Sequence, residues 1–541
     1  MDLESSRDSV LVTPVTDKTV SDKAASDPAV VDTAVIGGLA NDRAVGDNLA
    51  HEQEDGDKPA GAAVDLPLCV DLDGTLLRTD MLAEGLFAAI GAADLRLPAA
   101  LLAAFGSRAA FKRRVAEIAP FDPALLPYNR PLLARLRQEK AAGRMLVLAT
   151  AADAAVARRV ADHLGLFDAV IASDGVHNRK GAAKAEALVQ RFGRRGFVYA
   201  GNDASDLPIW REAAAAIIVN APPGVARQVR AMMPVEADIR DVDPPLRALL
   251  QAMRPHQWVK NLLALVPIIT AHAVNDLAGW GRGALVCAAL CLTASSIYLV
   301  NDLLDVAADR AHPRKRTRPF ARGALRQSQG VAAAAVLLLA GLTMGWEAGA
   351  LLIVAAYAAM SVGYSLRLKE LPLVDVFMLA GLYTIRIVAG GEATGHKMSL
   401  WLLAFSSFLF LSLAFLKRVE EMMAAARIAR GYVRPARRGY TTEDVPILGV
   451  FGVAAAFSAV LVLALFVQNE TSGSLYASPA LLWGIVPVML LWLCRMWLSA
   501  SRGYMHHDPI VYAARDWVSW TAGAVMLLVL MAAKSFTIFA G

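Results

Sequence analysis

Cysteine and charge are both scarce in this sequence. The chain of 541 residues has four cysteines, Cys69, Cys287, Cys291 and Cys494, and no spacing among them suits a zinc site or a redox pair. Only 19% of the residues are charged, whereas 56% are hydrophobic and the mean hydropathy is +0.43. This composition excludes an ordinary soluble enzyme of such length and predicts a membrane protein with several spans.

The first 64 residues lack aromatic side chains and long apolar runs. They hold thirteen Asp or Glu against five Lys or Arg, so this part is acidic while the chain as a whole carries +5. Such a segment buries too little apolar surface to offset its ordering entropy, and we expect a disordered acidic tail over residues 1–64. The opening MDLESSRDSV has no basic stretch followed by an apolar run, so we expect no secretory signal there.

The rest of the chain divides into two regions of different texture. Residues 65–245 alternate short apolar runs with Ala/Arg-rich amphipathic stretches, which is typical of a parallel α/β domain. Residues 250–541 contain long apolar segments, each near the roughly 20 residues that cross a bilayer, and predict an all-α membrane bundle. We count nine such spans, at 258–274, 284–302, 329–346, 349–366, 373–390, 399–416, 446–467, 480–499 and 517–539.

The loops between these spans differ in charge. Those near 303–328, 367–372, 417–445 and 500–516 hold about nineteen Lys or Arg with their helix ends, whereas the opposite loops hold only Arg282 and Lys397. Loops that face the cytoplasm carry an excess of Lys and Arg. We therefore expect the α/β domain and these basic loops on the cytoplasmic side of the inner membrane, with the C-terminus outside.

Four polar motifs follow one another along the α/β domain. In VDLDG at 70–74, Asp71 and Asp73 follow an apolar strand, where one carboxylate can attack a phosphoryl group and the other can exchange protons. Thr150 ends a second strand with a hydroxyl group, and Lys180 supplies a positive charge for the transferring group. GNDASD at 201–206 ends a third strand with oxygens that suit Mg²⁺. An acidic turn would explain a lone Asp-x-Asp pair, but it does not explain four motifs in order.

These motifs resemble those of the haloacid dehalogenase superfamily, across roughly residues 66–220. The resemblance implies a phosphatase with a helical cap between Thr75 and Met145. It implies Asp71 as the nucleophile, Asp73 as the acid and base, and Thr150 and Lys180 as phosphoryl-binding residues. The Mg²⁺ ligands that it implies are Asp71, Asp73, Asn202, Asp203 and Asp206. The first position of the last motif is often Asp in this family, and the Asn202 found here leaves the choice between Asn202 and Asp203 open.

The second predicted span ends in a cluster of carboxylates. Asp302, Asp305 and Asp309 are three and four residues apart, which predicts that they lie on one face of a helix. Clustered carboxylates repel one another unless a cation neutralises them, and Mg²⁺ that bridges a diphosphate is the natural candidate. A solvated acidic helix end is the alternative. The basic run HPRKRTRP at 312–319 follows, and it favours either phosphate binding or a positive anchor at the membrane surface.

Further polar residues lie at or inside the predicted spans. RPHQWVKN at 254–261 precedes the first span, and Asp375 and Arg386 lie within an apolar one. Ionisable groups inside a membrane are costly, so we expect Asp375 and Arg386 to face a polar cavity.

The membrane region resembles the UbiA superfamily of intramembrane prenyltransferases, over about residues 250–541. The NDxxDxxxD pattern at 301–309 carries the resemblance, which implies nine helices around a cavity that binds a Mg²⁺-diphosphate substrate and a lipid. The strings RPHQWVKN, YLVNDLLDVAADRAHPRKRTRP and YTIRIVAGG are most similar to the polyprenyl-phosphate phosphoribosyltransferase branch. Prenyl diphosphate sites of the superfamily usually have a second Asp pair spaced four apart, but here Leu379 follows Asp375 at that spacing.

We therefore expect a Mg²⁺-dependent enzyme that transfers 5-phosphoribose from phosphoribosyl pyrophosphate to a polyprenyl phosphate, with an attached phosphatase that removes the 5-phosphate. We expect no nucleic-acid partner. One alternative is a prenyltransferase that moves an isoprenoid from its diphosphate to an aromatic or lipid acceptor, and another is a membrane anchor for a phosphatase. The expected metal-site residues of the membrane region are Asn301, Asp302, Asp305 and Asp309. The expected substrate-binding residues are Lys260, Asn261, Arg314, Lys315, Arg318, Tyr364, Lys369, Asp375 and Arg386.

Overall fold

The computed structural model describes residues 66–92, 94–119, 121–396, 398–429, 439–469, 476–505 and 508–535. The expected disordered tail at 1–64 and the loop residue Lys397 lie outside these ranges, so the predictions about them stay predictions.

A parallel sheet of six strands forms the centre of the N-terminal domain, which confirms the predicted α/β class. The strands are β1 (Leu68–Val70), β2 (Leu146–Asp153), β3 (Ala169–Ser173), β4 (Val198–Gly201), β5 (Ala215–Val219) and β6 (Val235–Ile239). They lie in the order β3-β2-β1-β4-β5-β6, and Cys69 in β1 is paired with Val147 and Tyr199 on its two sides. The order reverses between β1 and β4, and ligands bind in open α/β sheets at the carboxyl ends of strands at such a point.

Helices cover both faces of the sheet and one of its ends. Three of them lie between β1 and β2, where the sequence predicts a cap: α1 (Met81–Gly91), α2 (Leu97–Ala103) and α3 (Arg108–Ile118). Asp80 begins α1, because its side chain accepts a hydrogen bond from the Ala83 amide at 3.0 Å. The other helices of this domain are α4 (Arg130–Ala141), α5 (Ala154–Leu164), α6 (Ala182–Phe192), α7 (Leu207–Glu212) and α8 (Pro223–Met232).

The C-terminal region is helical throughout its described residues. It begins with α9 (Pro245–Met253), a 3₁₀ helix (Pro255–Leu265) and α10 (Val266–Thr270). The longer elements are α11 (Leu277–Leu304), α13 (Gln327–Glu347), α14 (Leu351–Leu366), α15 (Val374–Thr394), α16 (Leu400–Ala429), α17 (Val445–Gln468) and α18 (Ile485–Ser501). The short α12 (Val306–Ala311) follows α11, and α19 (Pro509–Arg515) and α20 (Trp517–Ser535) end the described chain.

Within the described ranges, seven helices are long and apolar enough to span a membrane. They are Leu277–Leu304, Gln327–Glu347, Val374–Thr394, Leu400–Arg427, Thr442–Gln468, Pro479–Ser501 and Trp517–Ser535. The predicted count of nine is not confirmed. The span predicted at 258–274 consists of a 3₁₀ helix followed by the five-residue α10, and the one predicted at 349–366 forms a helix of only 16 residues.

The carboxylate cluster does not lie on one continuous helix, so that prediction is wrong. The α-helix ends at Leu304, and Asp305 has a φ of −102° and a ψ of 8°, outside helical geometry. A new helix, α12, begins at Val306 and carries Asp309. Asp is favoured at helix ends because its short side chain competes for backbone hydrogen bonds, and here it stands at the junction.

The two domains contact each other at this junction. The cap helix α1 packs against the end of α11 so closely that a Cβ atom on Gly91 would lie 2.8 Å from the Leu304 carbonyl oxygen. Arg310 of α12 donates hydrogen bonds to both carboxylate oxygens of Glu84, at 2.7 and 2.5 Å. The α/β domain therefore lies at the same end of the helical bundle as the basic 303–328 segment.

Candidate active sites

The carboxyl end of β1 places Asp71 at the centre of a buried polar cluster. Its amide donates to the Ala200 carbonyl of β4 at 3.0 Å, which fixes the loop at the point where the strand order reverses. Its Oδ1 accepts a hydrogen bond from the Nζ of Lys184 at 2.7 Å. Lys184 also donates to the Tyr199 hydroxyl at 2.7 Å, which in turn donates to Asp206 at 2.9 Å. The end of β1, helix α6 and β4 with its following loop are thus joined by one hydrogen-bond network.

Burial shifts the protonation of both carboxylates in the first motif. It raises the pKa of Asp71 to about 6, although the positive charge of Lys184 acts in the opposite direction. Burial also raises the pKa of Asp73 well above its usual value, and the nearby carboxylates Asp80 and Asp71 raise it further. Carboxylates with separated pKa values can divide the acid and base roles between them. A divalent cation would relieve the repulsion between them, and their oxygens suit Mg²⁺.

The loop after β4 is organised by Asp206. Its Oδ2 accepts hydrogen bonds from the amides of Asn202 and Asp203, at 3.0 and 3.1 Å. The side chain of Asn202 lies over Gly74, where a Cβ atom would be 2.2 Å from Nδ2, and Gly74 also has a φ of +78° that favours glycine. Both carboxylate oxygens of Asp206 therefore accept hydrogen bonds from the protein, so Asn202 and Asp203 are the better placed candidates for a metal.

Lys184, and not the predicted Lys180, is the lysine that contacts Asp71. Lys180 is exposed and lies in the loop before α6, whereas Lys184 is buried one turn into the helix. Lys184 lies on the same buried helix face as Leu188. A lysine on an otherwise apolar helix face indicates a buried charge, and sequence reasoning missed this indication. Thr150 is buried in β2, three residues before the strand ends at Asp153 and not at its end as predicted. Its hydroxyl oxygen accepts a hydrogen bond from the Ala152 amide at 3.0 Å.

A cavity of 680 Å³ opens above this cluster. Lys112 of the cap helix α3 reaches its wall and donates to the Ala151 carbonyl at 2.7 Å and to Asn178 at 2.9 Å, a contact that no sequence motif indicated. The polar residues of its floor include Asp71, Asp73, Lys180, Lys184, Asn202, Asp203 and Asp206.

A second cavity, of 240 Å³, lies among the membrane helices. It gathers most of the predicted residues of that region: Lys260, Asn301, Asp302, Asp305, Lys315, Arg318, Tyr364, Lys369 and Arg386. Its wall also contains charged and aromatic residues that the sequence did not single out: Arg254, Lys417, Tyr298, Tyr357 and Tyr383. Seven Lys or Arg thus face this cavity together with two carboxylates, so cationic side chains are in excess in its lining.

Cations hold the carboxylates of the NDxxDxxxD segment. Asp302 accepts hydrogen bonds from Arg254 and, at 3.2 Å, from Arg318, which also contacts Asp309 at 2.7 Å. Lys369 lies 3.8 Å from Asp305. Asp309 is thus held by Arg318 and does not line the cavity.

The remaining oxygen atoms of this segment suit the coordination of a divalent cation. The Oδ2 atom of Asp302 is buried and has no hydrogen-bond partner among the described residues. Asp305 and Asn301 line the same cavity. The described part of the chain contains no group of three His, Cys, Asp or Glu side chains that would enclose a metal. Mg²⁺ is often held by one or two carboxylates together with substrate phosphates, which matches an open site of this kind.

Asp508 does not line the cavity, but it pairs with two of the lysines that do. Its Oδ2 lies 2.6 Å from Lys260 and 3.1 Å from Lys417, and it accepts a hydrogen bond from the Tyr383 hydroxyl at 3.1 Å. Sequence reasoning missed Asp508 and Lys417 because they stand in separate elements, far from the other motifs.

Arg386 faces the cavity as predicted and is held by two neighbours. Its Nε donates to the Asn261 side chain at 2.8 Å, and its Nη2 donates to the Tyr357 hydroxyl at 3.0 Å. Asn261 does not line the cavity itself. It therefore serves as a positioning residue for Arg386.

Besides Asn261, two more of the predicted substrate-binding residues do not reach the cavity wall. Arg314 is exposed outside it. Asp375 is fully buried, forms a salt bridge of 2.5 Å with Arg418, and accepts a hydrogen bond from the Tyr440 hydroxyl at 2.7 Å. The expectation that Asp375 faces a polar cavity is wrong, because a cation from α16 neutralises it inside the bundle.

Comparison with known proteins identifies both domains. The family model for haloacid dehalogenase-like hydrolases matches residues 68–211, and that for the UbiA prenyltransferase family matches residues 263–514. The uncharacterized protein y4nM of Sinorhizobium fredii is 36% identical over 468 residues, which cover 85% of this chain and 90% of that protein. The chain belongs to the UbiA prenyltransferase family and carries a haloacid dehalogenase-like domain.

Two further relatives match half of this chain or less. Nodulation protein NoeC of Azorhizobium caulinodans is 36% identical over 280 residues, which cover 50% of this chain and 88% of that protein. Decaprenyl-phosphate phosphoribosyltransferase of Mycobacterium tuberculosis is 32% identical over 235 residues, which cover 42% of this chain and 77% of that enzyme.

The two lysines of the haloacid dehalogenase-like domain should differ in their effects on phosphatase activity. Lys184→Met removes the cation in contact with Asp71, and we expect kcat on p-nitrophenyl phosphate to fall by about 10²- to 10³-fold. Lys180→Met is the matched comparison, and its effect should be less than about tenfold because Lys180 lines the cavity but is exposed and makes no contact with Asp71. Equal losses in the two variants would contradict the assignment of Lys184.

The buried pair of the UbiA domain should control its stability. Arg418→Met leaves the Asp375 carboxylate buried without its salt-bridge partner, and we expect a loss of about 3–5 kcal/mol of stability. Adding Asp375→Asn should restore much of that loss, because no buried charge is then left unpaired. The measurement is the apparent unfolding temperature in detergent. An equal unfolding temperature for the single and double variants would show that the pair does not neutralise Asp375.

Proposed function

We propose that the UbiA domain transfers 5-phosphoribose from phosphoribosyl pyrophosphate to a polyprenyl phosphate, and that the haloacid dehalogenase-like domain then removes the 5-phosphate. The observation that carries the transfer step is the charge of the membrane cavity, where seven Lys or Arg face two carboxylates. Phosphoribosyl pyrophosphate brings a diphosphate and a 5-phosphate, and the lipid brings a third anionic group. A single prenyl diphosphate with an aromatic acceptor would leave much of this positive charge unused.

The residues divide the transfer step between binding and charge stabilisation. The bond between the anomeric carbon and the diphosphate breaks, and an oxygen of the lipid phosphate forms the new bond to that carbon. The lipid phosphate is already ionised, so the step requires no general base. Lys260, Lys417 and Arg386 hold phosphate groups on one wall, while Arg318 and Lys369 do so beside Asp302 and Asp305. Mg²⁺, held by Asp302 and Asp305, supplies stabilisation of the departing diphosphate when bound.

The geometry around Asp71 supports the hydrolytic step. An Asp71 oxygen attacks the phosphorus, the bond to the ribose oxygen breaks, and Asp73 gives its proton to that oxygen. Water then attacks the phosphorus of the phosphorylated Asp71 and returns a proton to Asp73, which releases inorganic phosphate. Lys184 neutralises Asp71 and the incoming phosphoryl group. Mg²⁺, which Asp71, Asp73, Asn202 or Asp203 would hold, supplies further charge stabilisation when bound.

We also propose that the protein lies in the inner membrane with both sites on the cytoplasmic side. The Lys and Arg bias of the loops supports this orientation. The haloacid dehalogenase-like domain contacts the basic 303–328 segment through Arg310 and Glu84, which agrees with a common side for the two.

Product analysis in detergent tests both steps. Purified protein is incubated with Mg²⁺, polyprenyl phosphate and labelled phosphoribosyl pyrophosphate, and the lipids are separated by chromatography. Wild type should yield ribosylated lipid without a 5-phosphate, Asp71→Asn should stop at the 5-phosphorylated lipid, and Asp302→Ala should yield neither. Asp276→Asn is the control, because Asp276 caps α11 away from both cavities and Asn caps helices equally well.

Three outcomes would overturn parts of this proposal. Consumption of an allylic diphosphate with no label in the lipid would favour the prenyltransferase alternative. Retained transfer in Asp302→Ala would remove the carboxylate segment from the transfer site. A wild-type product that keeps its 5-phosphate, while p-nitrophenyl phosphate is hydrolysed, would separate the two domains into unrelated pathways.

A further inference from the structure

One short segment of the UbiA domain borders both cavities. Asn301, Asp302 and Asp305 face the membrane cavity, whereas Leu303, Leu304, Val306 and Ala307 line the cavity above Asp71. Arg326, Gln327 and Ser328 at the start of α13 complete that second lining. We call the four apolar residues Leu303, Leu304, Val306 and Ala307 the shared wall. The phosphatase cavity is therefore closed on one side by the other enzyme domain.

Direct contacts keep the cap of the phosphatase against this wall. Arg310 forms a salt bridge with both oxygens of Glu84, and the Gln327 side chain donates to the Thr79 hydroxyl at 2.5 Å. Arg310 and Glu84 are both largely buried, with side chains 6% and 11% exposed. Buried charge-assisted hydrogen bonds are among the stronger polar contacts in proteins. The wall and the cap are thus held as one unit.

The chemistry of the cavity changes from one side to the other. Its floor is polar and charged around Asp71 and Lys184, whereas the four residues of the shared wall are apolar, and the polar residues 326–328 lie beside them. A free sugar phosphate would gain nothing from the apolar side. A phosphate monoester on the headgroup of a membrane lipid brings a charged end for the floor and an apolar end for the wall.

We propose that the shared wall makes the phosphatase specific for a lipid-linked phosphate monoester, which it receives from the neighbouring membrane cavity before the lipid leaves the protein. This inference rests on the proposed function for the identity of the ester. The reaction at the wall is hydrolysis: the bond between phosphorus and the sugar oxygen breaks, water supplies the new oxygen on phosphorus, and the sugar keeps a hydroxyl group.

A pair of substitutions in the UbiA domain tests the wall. Ala307 and Ala308 are adjacent and exposed in α12, but only Ala307 lines the phosphatase cavity. Ala307→Phe should leave transfer of the label within about twofold of wild type and slow the removal of the 5-phosphate by about a hundredfold, because a small misplacement of the ester is costly. Ala308→Phe, the matched control, should behave as wild type in both steps. Rapid loss of the 5-phosphate in Ala307→Phe would overturn the proposal.

A mixing experiment decides the question if Ala307→Phe loses transfer because it misfolds. Asp71→Asn supplies only transfer and Asp302→Ala supplies only phosphatase, so an equimolar mixture in detergent requires the lipid to change protein. Wild type should show little 5-phosphorylated lipid at any time, whereas the mixture should accumulate it. Equal time courses for the two would contradict direct transfer between the cavities.

The experiments distinguish a failure of the proposed function from a failure of the proposal about the shared wall. If wild type transfers no label, the proposed function fails at once. The wall is then tested with a synthetic lipid whose headgroup carries a phosphate monoester, compared with p-nitrophenyl phosphate. Ala307→Phe should lower the ratio of lipid to soluble ester hydrolysis by about tenfold relative to Ala308→Phe. An unchanged ratio would overturn the inference.

Discussion

Pairing of buried carboxylates with cations from distant elements holds both sites together. Lys184 reaches Asp71 from α6, and Lys260 and Lys417 meet at Asp508 from two other parts of the chain. A buried charge without a partner is strongly destabilising, so each pair fixes the elements that carry it. The same cations are also the natural ligands of phosphate groups. The interactions that position the helices therefore also prepare the cavities for anionic substrates.

The break in the helix at Asp305 lies between the two cavities. Within the seven residues 301–307, the polar side chains line the membrane cavity and the apolar ones line the cavity above Asp71. Gly91 allows the cap helix to approach the end of α11 closely, and Arg310 holds it there. The two domains are therefore joined by more than the chain between them, because the UbiA domain supplies part of the wall of the cavity above Asp71.

Sequence reasoning succeeded where the chemistry lies in short local motifs. The carboxyl ends of parallel strands meet at one edge, so the approach of Asp71 to the 201–206 loop follows from the strand pattern. It failed where contacts depend on helix rotation or on long-range packing. Lys184 contacts Asp71 because α6, which begins after Lys180, turns its side chain inward, and Asp375 is neutralised by Arg418 from another helix. Neither contact is encoded by spacing within a single motif.

The central claim is that the membrane cavity binds a substrate with several phosphate groups, and equilibrium binding tests it most directly. The measurement is isothermal titration calorimetry of the Asp71→Asn protein in detergent with Mg²⁺ and no lipid acceptor, so that the ligand is not consumed. The account predicts saturable binding of phosphoribosyl pyrophosphate that an allylic prenyl diphosphate at equal concentration does not displace. Binding of the allylic diphosphate without binding of phosphoribosyl pyrophosphate would contradict it.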